Sequence, residues 1–140
     1  IVEQEREATA KYLAELSHRK DLYAALRGFI DLLLTLAADR DFSSLALEIA
    51  AEAARDADIR SLTSRSDAEL HNALKRLLAE ASKRGQIDSS LDVASTSHCL
   101  AVMIDGIFSR VAADPAFKPA KHRQTFLTLL DRFLRPVAAA

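Results

Sequence analysis

The sequence predicts an all-α protein, a helical bundle of about six helices, and two observations carry that expectation. Gly and Pro number three each in 140 residues, too few for the repeated tight turns of a β protein, while the strong helix formers Ala, Leu, Glu, Arg and Lys dominate. Apolar residues also return every three or four positions through most of the chain, the period of a helix with one buried face. A chain of this length is one domain by the usual prior and can bury about two thirds of its unfolded surface, so it needs no disulfide or metal to fold.

Composition narrows the function classes. Hydrophobic residues at 49% and charged residues at 28% give a soluble globular balance. The net charge is −1 and neither sign forms a long run, so no basic stripe of the kind that grips nucleic acid stands out. No apolar run approaches the ~18 residues of a membrane span. The single Cys99 excludes an intramolecular disulfide and suits a reducing, cytoplasmic setting.

The elements follow in order. Residues 1–16 read as the end of a helix with Val2, Thr9, Leu13 and Leu16 on one side. The chain opens in helical register with no initiating Met, so a segment is expected upstream and this helix is read as a linker from it, with residues 17–140 forming the domain proper. A second helix, about Lys20 to Ala38, has so wide an apolar arc (Leu22, Leu26, Phe29, Ile30, Leu33, Leu34) that it must touch several others. Asp41 is the expected N-cap of a third helix, Phe42 to Arg55. Its inner face, Phe42, Leu45, Ala46, Ile49, Ala50 and Ala53, turns small towards its end and so either packs closely or lines a space. Glu52 lies on the flank of that face, either as an exposed partner of Arg55 or as the border of a pocket.

A long fourth helix, Ala57 to Arg84, carries a firm stripe of Leu70, Ala73, Leu74, Leu77 and Ala81. Above it, Thr63, Ser66 and Asp67 occupy the inward arc, so the helix kinks or offers hydroxyls to the interior. Gly85 ends it. The fifth helix, Leu91 to Ala112 with Asp92 as cap, is apolar nearly all round. Ser97, Leu100, Ala101, Ile104, Ile107, Phe108 and Val111 form a core face, while Cys99, Val102, Met103 and Gly106 stand where a surface helix would show Lys and Glu. A face of that kind suits contact with a second copy. The last helix starts near Pro119 and runs to Arg135, with Pro136 as its stop.

Chemistry-bearing clusters are few. There is no GxSxG elbow, and the serines sit at caps or within helices. His98 and Asp105 share a helix face but lie two turns apart, about 10 Å by helix rise, too far for a direct pair or chelation. His18 and His71 read as solvated. No catalytic residue, metal ligand or cofactor is therefore expected, and the chain is not read as an enzyme.

Three stretches, in order, resemble the C-terminal domain of TetR-family transcriptional regulators: Glu52-Ala53-Ala54-Arg55-Asp56 with Ile59-Arg60, Gly85-Gln86-Ile87-Asp88, and Ile104-Asp105-Gly106-Ile107. The resemblance covers most of residues 42–136. It implies a regulator, a repressor by expectation, whose DNA-reading helix-turn-helix part is absent from this sequence, so that operator DNA is reached only through that missing part. It further implies a small-molecule site among the central helices and a homodimer through the last two. The expected effector is small and largely apolar. Candidate ligand-binding residues are Phe29, Leu33, Ile49, Glu52, Ala53, Thr63, Ser66, Leu70, Leu100, Ile104 and Phe108. Candidate dimer contacts are Cys99, Val102, Met103, Gly106, Arg110, Leu129 and Phe133. The competing expectation is a helical protein-interaction module with no cavity, whose centre between Phe29, Ile49 and Ile104 would be closed.

Overall fold

Six α-helices and one 3₁₀ turn build the computed structural model, which describes residues 2–135, the side chain of Val2 excepted. They are α1 (Val2–Leu16), α2 (Leu22–Ala37), α3 (Arg40–Arg55), α4 (Ala57–Lys83), α5 (Val93–Ala113), the 3₁₀ turn (Pro119–His122) and α6 (Arg123–Leu134). No strand occurs among the described residues, so the all-α bundle read from the sequence is the fold observed. The inward placing of Val2 and the stop at Pro136 lie outside the described residues.

The wide apolar arc of α2 has its expected consequence: this helix touches all five others. Leu22, Leu26 and Ile30 are fully buried, as are Leu77 and Leu78 of α4 and Leu134 of α6. The α2 N-terminus is closed from two sides. Asp21 Oδ1 accepts from the Ala24 amide at 2.9 Å, and Gln86 Oε1 accepts from the Leu22 amide at 2.7 Å. Such partners satisfy amides that a helix start leaves without a carbonyl.

Gln86 belongs to the Gly85-Gln86-Ile87-Asp88 turn, and each residue there has a separate task. Gly85 takes φ +71° at the end of α4, a conformation glycine adopts without a Cβ clash. Ile87 is buried in the core, and the Asp88 amide donates to the Leu134 carbonyl at 2.7 Å. The turn thus joins the end of α4 to the start of α2 and the end of α6.

Two expected boundaries are corrected. The N-cap of α3 is Asp39, whose Oδ1 accepts from the Phe42 amide at 3.1 Å, not Asp41. Starting the helix earlier frees Arg40 to donate to the carbonyls of Val111 at 2.9 Å and Asp114 at 3.3 Å, closing the end of α5. Asp41 falls instead in the first turn, where its charge suits the helix dipole. The last α-helix begins at Arg123 rather than near Pro119, because Pro119 to His122 wind as a tighter turn closed by Lys121 N–H to Lys118 C=O at 3.1 Å.

Candidate functional site

Between α1, α2, α3, α4 and α5 lies a partly open cavity of about 670 Å³. That is within the range of small-molecule pockets, roughly 300–1,000 Å³. Its inner wall is apolar: Phe29 and Leu33 from α2, Leu70 and Leu74 from α4, Ala101, Ile104 and Phe108 from α5. Phe42, Ala46, Leu47 and Ala50 of α3 close another side. The Phe42 and Phe108 rings meet across the α3–α5 seam with centroids 6.1 Å apart, a favourable tilted aromatic pair. The small face of α3 lines a space; Ser43 is the one residue of that helix that is buried.

The remaining wall is polar. Glu5, Arg6 and Thr9 come from α1, Asp67 and His71 from α4, and His98, Asp105 and Ser109 from α5. Arg6 Nη1 lies 2.5 Å from Asp67 Oδ1 and 3.9 Å from Glu3 Oε1. Among the described residues Asp105 has no hydrogen-bond or ion-pair partner. It opens on the cavity, yet the surrounding wall still holds its carboxyl above the usual range. Burial is the main cause; the positive charge of Arg6 opposes it and the negative charge of Asp67 adds to it.

His71 is not simply solvated, as its sequence context suggested. It is half-buried, and its ring lies against that of His98 with centroids 4.2 Å apart and planes 32° apart. Burial lowers its pKa, and His98 and then Lys75 lower it further. No cluster of three or more His, Cys, Asp or Glu residues arranged to hold a metal ion occurs among the described residues.

A smaller cavity of about 310 Å³ lies beside the first, between α3 and α4. The two share Arg6, Ala50 and Asp67 as lining residues, so the Arg6–Asp67 pair stands between them.

The sequence-based ligand candidates divide among these spaces. Phe29, Leu33, Leu70, Ile104 and Phe108 line the large cavity, and Ile49, Ala53 and Thr63 line the small one. Glu52, Ser66 and Leu100 line neither. Glu52 is exposed and paired with Arg55. The Ser66 hydroxyl faces α1 and donates to Glu3 Oε2 at 2.6 Å, and Leu100 is core. Sequence reasoning missed Arg6, Asp67, His71 and His98 as wall residues. A signal existed: Asp67, Leu70, His71 and Leu74 sit at i, i+3, i+4 and i+7, so two polar residues interrupt an inward stripe. Arg6, Thr9 and Leu13 repeat the pattern in α1.

The dimer candidates on α5 and α6 are largely open to solvent in the single chain. Cys99, Val102, Gly106, Arg110, Leu129 and Phe133 are exposed and Met103 is half-buried. Val102 is 71% exposed, so in the single chain this helix does have a wet side. The described helices include none long and apolar enough to cross a membrane.

No curated protein and no solved structure gave a match to the chain. A family model does: that of the BetI-type transcriptional repressor C-terminal domain matches residues 22–135, from the first residue of α2 to the residue after α6. The match spans all four helices that line the apolar wall and the turn that locks α2, α4 and α6 together, and through it this chain belongs to the family of BetI-type transcriptional repressor C-terminal domains, within the TetR-like class.

Proposed function

We propose that this chain is the effector-binding and dimerisation domain of a ligand-responsive transcriptional regulator, acting as a repressor in the cytoplasm rather than as an enzyme. The observation that carries the reading is the 670 Å³ cavity, with an apolar inner wall and polar groups along one side. A solid centre between Phe29, Ile49 and Ile104 would have favoured a plain interaction module; Phe29 and Ile104 line the large hollow and Ile49 the small one beside it, which supports a site for a small, largely apolar effector.

The mechanism is a population shift. An effector that fills the cavity better in one arrangement of α1, α3 and α4 than in another moves the equilibrium by its differential affinity and by no more. Helix α1 is the linker to the DNA-reading part, and it is also a wall of the cavity through Arg6 and Thr9. Occupancy that disturbs the Arg6–Asp67 pair therefore acts on the linker directly.

The apolar stripe of α5 and α6 pairs two copies about a twofold. Val102, Leu129 and Phe133 expose between half and three quarters of their surface, and burying what remains exposed contributes roughly that fraction of the ~1.5–3 kcal/mol of a full side-chain burial. Nile red, an uncharged apolar dye, tests the cavity. Its fluorescence is expected to saturate on the native chain and to be lost with Ala46→Trp, which fills the space. Saturation that survives Ala46→Trp would place the dye elsewhere and overturn the reading.

A further inference from the structure

We propose that the His71–His98 ring pair is a proton-sensitive latch in the cavity wall, closed when both rings are neutral and opened by acidification, so that affinity for an uncharged apolar effector falls below neutral pH. The proposal rests on the effector reading of the cavity and adds a regulation to it.

The geometry is that of a seam. His71 is on α4 and His98 on α5, both line the large cavity, and their rings are 4.2 Å apart. Neutral imidazoles rest against one another at that distance in a tilted contact. Two imidazolium rings at the same distance repel; His71 is half-buried and His98 exposed, so water screens the pair from the His98 side only.

The wall around the pair carries charges of both signs. On α1 the cavity is lined by Glu5 and Arg6, on α4 by Asp67, and on α5 by Asp105; Lys75 of α4 stands one turn beyond His71. The α2 and α3 linings are apolar. Arg6 pairs with Asp67, and Glu5 and Asp105 line the same wall. Asp105 lies two turns from His98 on the same helix, about 10 Å along its axis. A separated seam admits water into an apolar chamber and weakens apolar binding. The lowered pKa of His71 puts its protonation below the ordinary histidine range near 6.5, so His71 is neutral at neutral pH.

Two measurements on the native chain and on His71→Gln, His98→Gln and the double variant test this. Nile red titrations at about pH 7.5 and about pH 5 are expected to show dissociation constants rising roughly fivefold or more in the native chain, and less than about twofold in the double variant. NMR titration of the His71 imidazole, with no dye present, is expected to show it titrating at higher pH in His98→Gln, because the lowering contribution of His98 is gone. An equal rise in the double variant, or a His71 titration unmoved by His98→Gln, would overturn the latch. Absence of dye binding to the native chain at pH 7.5 would sink the effector reading instead; the ligand-free imidazole titration then decides the latch alone.

Discussion

The two ends of α4 teach most when set side by side. From Ala73 to Ala81 its inner face is Ala73, Leu74, Leu77, Leu78 and Ala81, each at most 4% exposed and packed with α2 and α5. From Thr63 to Asp67 the same face carries hydroxyls and a carboxylate that bond to α1 or to the helix itself. One helix thus serves a solid region and a hollow one. Apolar burial carries the stability of the first. The second is held by an aromatic contact, an ion pair and hydrogen bonds, each worth far less than a filled core.

That contrast can be broken most sharply in the solid region. Leu77→Ala removes a fully buried side chain and should cost about 2–5 kcal/mol in denaturant unfolding. Leu47→Ala, in the hollow region at 40% exposure, should cost less than about 1 kcal/mol while altering dye binding. Comparable losses at the two sites would erase the distinction.

Gly106→Leu comes next. A Cβ at Gly106 meets nothing within 4 Å in the single chain, and Leu is the better helix former by up to about 1 kcal/mol. The subunit should fold as before, with its helical circular dichroism intact, while sedimentation shows monomers in place of dimers. A dimer that persists would move the interface off α5.

Arg6→Ala should have a smaller effect on the fold. The Arg6 side chain is 24% exposed and that of Asp67 58%, and pairs that reach solvent contribute about 0–1 kcal/mol. The thermal midpoint should therefore shift little, whereas the separation between the two cavities should be lost and dye binding should change.

The smallest expected effect is electrostatic. Because the folded chain holds the Asp105 carboxyl above its ordinary range, the ionised form is disfavoured on folding. The associated stability is present below the unfolded carboxylate pKa and is lost as pH rises through the folded one. Asp105→Asn should therefore raise the melting temperature slightly at neutral pH, with the gain vanishing in acid. A gain that persists in acid would point to packing instead.

How much of this was legible in the sequence follows the same division. The buried stripes of α2 and the second half of α4 announce themselves because apolar periodicity is a local signal. Asp92 is the cap expected for α5 and accepts from the Ser95 amide at 2.7 Å. Asp41 misled because two aspartates flank Arg40, and the choice between them depends on what Arg40 reaches at the end of α5. The polar wall was harder still. Arg6 and Asp67 are 61 residues apart in the chain, so neither helix alone shows that their charges neutralise one another. Thr63 and Ser66 pointed inward as one alternative had it, but towards backbone carbonyls and Glu3.

Helix α3 is fastened by arginines at its two ends. Arg40 reaches the carbonyls closing α5, and Arg60 of α4 donates to the carbonyls of Ala53 at 3.0 Å and Ala54 at 3.2 Å. Between those clasps it buries Ser43, whose hydroxyl donates to the Ala37 carbonyl at 2.7 Å. In the language of amide exchange, such a helix is expected to open as a unit without uncovering the Leu77–Leu78 core. Its protons should then exchange ahead of those in the second half of α4, and a molecule seated against Phe42, Ala46 and Ala50 should slow that exchange by the free energy of its binding.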